Sequence, residues 1–496
     1  MKISLELAAK RYTQALLDEN AALFAGAGLS IPSGFVSWSN LLRELADELG
    51  VEVSLCPDLP TLAQYHVNET GNRGGINQVL VEEFVRQTSE TESHRLIAKM
   101  PIRTIWTTNY DRLIEQAIEN SGKIVEINRR PEDLTSTVRN REAIVYKMHG
   151  DMTELHRGVL TRDDFEQYDR ERGLFRSALE GDLVQKTFLF AGFSFDDPNI
   201  NFVLSRTRVA LGQSQREHFY LLRSVARGDF TVEKYGSDEA CEKEFGYAQA
   251  LQDLRVRDLS RYGIRTVLLD DYGQVEEFFR MVERRYKRNS VFISGAAVEH
   301  GSYEEREARE FIGHLSGGLV GKGFRVINGY GLGVGPAVVS GVLERAKLDR
   351  RKLDRCLLSR PFPIFAKKEE RERKNEDNRR EMIEAAGIAI FVFGTKTDPK
   401  GKVIPSPGVE REYELARSYG IPCIAIGCTG GMSQKLSKEI VAVLKKPAAD
   451  DEPESIAALR RANVLEKIHS LNVEGADLKA VVSDVIEIVE KLRDCE

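Results

Sequence analysis

The chain has 496 residues, with 77 acidic and 71 basic side chains and a formal net charge of −6. At ~100–200 residues per domain this length predicts two to four domains. A composition of 42% hydrophobic and 30% charged residues excludes a disordered chain.

The slight acid excess argues against a broad nucleic-acid footprint. No apolar run approaches the ~18 residues of a membrane span, and the first ten residues lack the apolar core of a signal peptide. A cytoplasmic protein without nucleic-acid or membrane partners is therefore expected. The six cysteines (Cys56, Cys241, Cys356, Cys423, Cys428 and Cys495) include no Cys-x-x-Cys pair, and the eight histidines do not cluster at ligand spacing. Buried reduced thiols and no metal are the expectation.

In chain order, short apolar runs predict strands at 22–25, 104–107, 143–146, 187–191 and 265–269, separated by amphipathic helices such as 38–49 and 78–87. Residues 226–262 read as a charged helical insertion. The basic stretch 284–290 precedes a fresh strand at 291–295, which places a domain boundary between 1–284 and 285–496. The second half then alternates a helix at 303–321, a strand at 324–328, a glycine loop and a helix at 337–346. A loop and charge-rich stretch follows at 367–380, for which a solvated helix face is the plainer alternative. Strands at 388–393 and 423–427 flank a helix at 409–419. This alternation predicts an α/β chain of two Rossmann-like domains, each a doubly wound parallel sheet.

Four segments of the first half follow strand ends, where open α/β sheets bind ligands. Ala25-Gly-Ala-Gly-Leu-Ser30 could bring backbone close to a diphosphate, although Ile31 stands where a dinucleotide fingerprint has its third glycine. A tight strand-to-helix turn explains such a Gly-x-Gly equally well. Asn109 and Asp111, two apart after a strand, offer an amide and a carboxylate on one face, or form an Asx turn. His149 leaves a strand beside Gly150, and a lone histidine is more often structural than catalytic. The fourth is Gly192-Phe-Ser-Phe-Asp-Asp-Pro-Asn199, which by itself reads as a polar turn.

In order and spacing, these four segments resemble the sirtuin family. The resemblance implies an NAD⁺ site in which Ala25, Gly26, Ala27, Gly28 and Ser30 line the diphosphate. Asn109 and Asp111 would lie near the nicotinamide and its ribose, His149 near the ribose hydroxyls, and Gly192 and Ser194 on the adenosine side. It makes Asn109 and His149 the expected catalytic pair. Two features depart from sirtuin deacylases: Ile31-Pro-Ser-Gly-Phe35 replaces their Gly-Ile-Pro-Asp-Phe-Arg run, and the four-cysteine zinc module is missing. Cleavage of NAD⁺ to nicotinamide and ADP-ribose is therefore expected ahead of deacylation or ADP-ribosyl transfer. A non-catalytic nucleotide sensor is the remaining reading.

In the second half, Asn328-Gly-Tyr-Gly-Leu-Gly-Val-Gly-Pro336 reads as a phosphate nest between a strand and a helix. Ser294 and Gly295 would end the neighbouring strand. Arg379 and Arg380 are expected to open a helix, Lys396 to follow a strand, and Glu412 to lie in the helix after Pro407-Gly408. This half resembles the SLOG family of nucleotide-sensing domains. A sirtuin-like domain followed by SLOG is the arrangement of the NAD-consuming effectors of the Thoeris anti-phage system. On that arrangement, with matching stretches at 68–77, 106–111, 146–151 and 329–335, the chain is identified as a member of that family. Membership implies activation by a cyclic ADP-ribose isomer made by a TIR-domain partner, and a homotetramer or higher homo-oligomer. The isomer would meet Ser294, Gly295, Gly331, Leu332, Gly333, Arg379, Lys396 and Glu412.

Overall fold

The computed structural model describes residues 1–496 apart from 37, 54, 55, 57, 85–87, 213, 364–366, 450 and 496. The chain divides into two compact units, Met1–Glu283 and Arg284–Glu496.

The first unit is built on strands β1 (Ala21–Ala25), β2 (Thr104–Thr107), β3 (Val125–Asn128), β4 (Ala143–Lys147), β5 (Thr187–Ala191), β6 (His218–Arg223) and β7 (Ile264–Leu269). They form one sheet in the order β3-β4-β2-β1-β5-β6-β7, parallel at every pairing. Central strands β1 and β5 are buried at every residue, as strands covered on both faces must be. Aromatic pairs lock their register. Phe24 stacks on Phe190 at 5.5 Å across β1 and β5, and Trp106 stacks on Tyr146 at 4.1 Å across β2 and β4. Trp106 Nε1 donates to Asp182 Oδ2 at 2.8 Å, which satisfies its buried N–H.

Between β1 and β2 the chain leaves the sheet to form a helical layer with its own core. Its helices are Trp38–Leu41, Arg43–Glu48, Leu59–Thr70 and Gly74–Phe84, packed through Leu42, Leu45, Leu62, Ile76 and Leu80. Arg73 ties this layer to the segment after β4 through Asp164 and the Gly158 carbonyl.

The second unit carries β8 (Ser290–Ala296), β9 (Arg325–Asn328), β10 (Leu357–Ser359), β11 (Ile388–Phe393), a hairpin of β12 (Thr395–Thr397) and β13 (Val403–Pro405), and β14 (Cys423–Ala425). The sheet order is β10-β9-β8-β11-β14, again all parallel. Helices Glu305–Gly321 and Gly335–Leu348 pack closely because their contact is made of small residues. A Cβ on Gly341 would stand 2.1 Å from Gly313 O, and Ser316 Oγ donates to Val338 O at 3.0 Å.

The α/β architecture of two Rossmann-like parallel sheets agrees with expectation, and the charged insertion is helical at Val232–Tyr235 and Asp238–Ser260. Several elements differ. The helix expected at 38–49 is broken into two short ones, and that expected at 78–87 runs Gly74–Phe84, with 85–87 outside the described residues. Arg379 and Arg380 do not open a helix. The charged stretch is itself the helix Lys368–Glu384, and they lie near its end. Strands β3, β10 and the β12–β13 hairpin carry no apolar run of four residues, whereas β6, absent from the expected strands, does carry one in Phe219-Tyr-Leu-Leu222. In β3 the inward side chain is Glu126, held by Arg141 at 2.6 Å. In β6 a buried histidine, His218, takes an apolar position, and burial pushes its pKa down to about 3. Among the described residues no helix is long and apolar enough to cross a membrane.

Candidate active site

From β1 the first sheet runs out through β2, β4 and β3 on one side and through β5, β6 and β7 on the other. That reversal leaves a crevice beyond the carboxyl ends of β1 and β5, the usual ligand position in open α/β sheets. Two loops floor it, 26–30 and 192–197, and they touch backbone to backbone. Gly26 N donates to Ala191 O and Gly28 N to Gly192 O, both at 2.9 Å. A Cβ on Gly26 would stand 2.3 Å from Gly192 O, and one on Gly192, at φ +65°, would stand 2.5 Å from Leu29 N. Both glycines are therefore required by this crossing before any ligand enters. Gly26→Ala is expected to cost about 1–3 kcal/mol through overpacking, read as a lower urea midpoint, because every obstructing atom is backbone.

Behind the first loop, Ser30 Oγ donates to Asp111 Oδ2 at 2.8 Å and accepts from Asn109 Nδ2 at 3.2 Å. Asp111 Oδ1 accepts from Leu113 N at 3.0 Å, at the start of the helix Leu113–Asn120. Asn109 and Asp111 thus reach one hydroxyl, as their spacing suggests. The Asn109 Oδ1 is buried without a hydrogen-bond partner, an acceptor left open in a polar layer.

His149 follows β4 and faces the loop after β5. Its Nε2 lies 3.0 Å from Asp197 Oδ2, off the axis of an aligned hydrogen bond. Phe165 and Tyr168 meet the imidazole edge-on, with centroids at 5.4 and 6.2 Å. Asp197 Oδ1 accepts from Asn199 N at 2.8 Å and Ile200 N at 3.1 Å, capping the helix Pro198–Leu211. Burial alone would raise the Asp197 carboxyl. The His149 charge and the two helix amides outweigh it and hold that carboxyl below the usual range.

Beneath this turn Lys147 is fully buried. Its Nζ lies 3.0 Å from Glu115 Oε1 and 3.3 Å from Asp151 Oδ2, and it donates to the Asp111 carbonyl. One ammonium therefore links the Asn109–Asp111 turn to the strand that carries His149.

The crevice opens into a cavity of about 1190 Å³, above the ~300–1,000 Å³ of ordinary small-molecule pockets. Among the expected site residues Ala27, Gly28, His149, Gly192 and Ser194 line it, together with Asp197. Ser30, Asn109 and Asp111 form the layer behind, Ala25 is buried at the end of β1, and Gly26 lies under Gly192. Asp197 and Lys147 are the additions sequence reading did not make. Asp before Pro198 signals a helix cap, yet nothing in that signal names His149 as a neighbour. Among the described residues no group of His, Cys, Asp and Glu is arranged to hold a metal ion.

In the second unit, Ser294 Oγ donates to Glu412 Oε2 at 2.5 Å and Arg379 Nε to Glu412 Oε1 at 3.4 Å. Arg379 also lies over the Phe362 ring at 5.0 Å. Burial raises the Glu412 carboxyl, with Ser294 and Arg379 opposing. The glycine loop crosses the end of β8. Ala297 N donates to Leu332 O at 2.8 Å, and Cβ atoms on Gly331 and Gly333 would meet the Gly295 and Ala297 carbonyls at 2.1 and 2.2 Å. A Cβ on Gly295 would stand 2.6 Å from Val392 O. Lys396 lies exposed on the hairpin, outside this hydrogen-bonded group.

Residues 103–242 match the model of the SIR2-like domain, and 274–492 match that of the Sir2- and TIR-associating SLOG family. A Bacillus cereus (strain MSX-D12) protein named "NAD(+) hydrolase ThsA" is 40% identical over 98% of both chains. The chain belongs to the ThsA family. An Enterococcus faecium ThsA is 37% identical, again over 98% of both chains. "Defense-associated sirtuin 2" of Bacillus subtilis is 26% identical over 43% of this chain and 22% of its own length. Similarity to ThsA thus spans both units, whereas the likeness to this defence-associated sirtuin covers less than half of the chain.

Proposed function

We propose that this chain hydrolyses NAD⁺ to nicotinamide and ADP-ribose, with residues 1–284 cleaving and 285–496 sensing. The observation that carries the reading is His149, set on the cavity at the switch point of the first sheet. Full-length kinship to proteins named NAD(+) hydrolase adds to it.

Nicotinamide leaves as a neutral molecule from a cationic precursor, so its departure needs no acid. The barrier lies in the oxocarbenium-like state at the ribose C1′. As the C1′–N bond breaks, a water oxygen bonds to C1′ and His149 takes the proton, directly or through a ribose hydroxyl. The backbone at Ala27 and Gly28 and the side chain of Ser194 hold the diphosphate and adenosine side. Asn109 is the second catalytic candidate: it stands one layer behind the cavity lining with Oδ1 unpaired, and it would orient the water or the nicotinamide amide only where the bound substrate reaches that layer. Asp111 fixes Asn109 through Ser30.

In the second unit, the glycine loop and the Ser294–Glu412–Arg379 group, with Lys396 on the hairpin, take a cyclic ADP-ribose isomer. A TIR-domain enzyme supplies that signal, and the Sir2- and TIR-associating family match supports the pairing. The signal raises hydrolysis by binding the active arrangement of a homotetramer or larger assembly more tightly than the resting one. The setting is cytoplasmic anti-phage defence of the Thoeris type, by depletion of NAD⁺.

Chromatography of purified protein with NAD⁺, with and without cyclic ADP-ribose isomers, tests both parts. Nicotinamide and free ADP-ribose are expected, and more of them with an isomer. Release independent of every isomer would remove the gate but keep the enzyme. No release under any condition would overturn the assignment in favour of a sensor or of transfer to an acceptor.

A further inference from the structure

We propose that Asp197 is a positioning residue that fixes the ring orientation and tautomer of His149, so that Nδ1 is the nitrogen that takes a proton in the cavity. This inference rests on the hydrolase reading above and names a residue that reading does not need.

The two carboxylate oxygens of Asp197 have separate duties. Oδ1 accepts from Asn199 N and Ile200 N at the start of the helix Pro198–Leu211, while Oδ2 lies 3.0 Å from His149 Nε2. A helix cap alone requires one acceptor oxygen, and an asparagine or serine serves it as well. The second oxygen is spent on the histidine.

Nε2 is sealed from solvent and makes no aligned hydrogen bond among the described residues, and the Asp197 carboxylate at 3.0 Å is the charged group found beside it. An anionic carboxylate can only accept, so Nε2 must carry a proton when facing it. In the neutral ring the lone pair then belongs to Nδ1, for which no hydrogen bond is found among the described residues, on a ring that borders the cavity. A neutral imidazole can accept a proton at one nitrogen only, and its partner at the other decides which.

The rest of the surroundings holds Asp197 in place. It sits on the first turn of a helix of fourteen residues, Pro198 fixes the backbone at the first helical position, and its cap ties it to the helix dipole. Arg176 donates to Asn199 Oδ1, anchoring the same turn from the helix Tyr168–Gln185. Phe165 and Tyr168 wall the imidazole on its edges and restrict its rotation without offering a competing charge. Among the described residues, the charged and ring contacts found for the His149 side chain are one carboxylate and two aromatic rings, and of these the carboxylate distinguishes the two nitrogens. Orienting a catalytic histidine by a buried carboxylate on its far nitrogen is a recurrent physical solution, because it stabilises one tautomer and the cation that forms on proton transfer.

Asp197→Asn separates the two duties. Its amide oxygen can keep the helix cap, while the amide N–H directed at Nε2 favours the opposite tautomer and removes the negative charge. The full-length protein labelled with ¹⁵N-histidine gives a readout that requires no turnover, with His149 assigned by its loss in His149→Ala. The parent is expected to show protonated Nε2 and unprotonated Nδ1, and Asp197→Asn a switch or mixture, with an unchanged melting transition. In the NAD⁺ assay, Asp197→Asn is expected to lower kcat by up to about 10⁴-fold at little change in KM, and Asp197→Glu to recover part of it. An identical tautomer in parent and Asp197→Asn, or a parental kcat in that variant while His149→Ala is inactive, overturns the proposal and leaves the hydrolase reading standing. A parental rate in His149→Ala overturns the catalytic role of His149 itself, which is a different failure.

Discussion

His149→Ala is expected to lower NAD⁺ cleavage by about 10²–10⁴-fold while leaving the protein folded and its second unit able to bind a cyclic ADP-ribose isomer. The magnitude follows from what remains after the imidazole is removed. The loops 26–30 and 192–197 still meet through the Gly26 and Gly28 amides, so the diphosphate side of the cavity persists. Asp197 keeps its two helix amides, so its charge is not stranded. What is lost is the group that accepts a proton as water adds to C1′, and the variant should therefore lose kcat rather than raise KM. Steady-state kinetics with saturating NAD⁺, alongside a melting curve and a binding isotherm for the isomer, separate these outcomes. A variant that hydrolyses NAD⁺ at the parent rate sinks the base assignment. His149→Gln guards against a packing artefact, because it fills the space between Phe165 and Asp197 without being able to take the proton.

How far this site was legible depends on whether its contacts are local. β1 and β5 are uninterrupted apolar runs ending in glycine, so both could be placed from sequence, and with them the loops that floor the crevice. The shared face of Asn109 and Asp111 was readable for the same reason, since spacing of two after a strand is a local rule. What those two side chains meet was not, because Ser30 belongs to a distant segment. The glycines of the first loop illustrate a subtler gap. Their type is conspicuous in sequence, but that they are needed against Gly192 appears only when β5 is laid beside β1.

Contacts across the chain also explain what was misplaced. Sequence alone places Arg379 at the start of a helix, after a charged stretch that shows no apolar stripe. The helix Lys368–Glu384 begins earlier and spends those charges on pairs such as Lys374–Glu370 and Arg380–Glu376, which no apolar periodicity announces. Strand β3 was missed since its inward side chain is a glutamate, tolerated only because Arg141 reaches it. Helix caps behave likewise. Asp197 is recognisable as a cap before Pro198, yet its second oxygen is free to meet a histidine from another loop, and that half of its chemistry is tertiary.

Lys147→Met is expected to destabilise the first unit by about 3–5 kcal/mol, the usual cost of removing one partner from a buried ion pair. Burial lowers the Lys147 ammonium, but Glu115, Asp151 and Asp111 outweigh that and raise it, so it stays charged in the interior. Of its two carboxylate neighbours, Glu115 is raised by burial against the pull of Lys147. Asp151 is held low because Lys147, Thr153 and Arg129 together outweigh its burial. Methionine fills the same channel without a charge and leaves Glu115 with no cation. The carboxyl then favours its protonated form in the folded state, so folding binds a proton above the ordinary carboxylate range. Stability of the variant should therefore recover as pH falls and worsen as pH rises through that folded-state value. Urea unfolding of parent and variant across pH 5–8 reads both the loss and its slope. Adding Glu115→Gln should restore part of the stability and flatten the slope, because the stranded charge is gone. If Lys147→Met unfolds like the parent at every pH, the ammonium is not what joins the Asn109–Asp111 turn to the strand bearing His149. If stability falls with no recovery at low pH, the cost lies in packing around the lysine stem and not in the uncovered carboxylates.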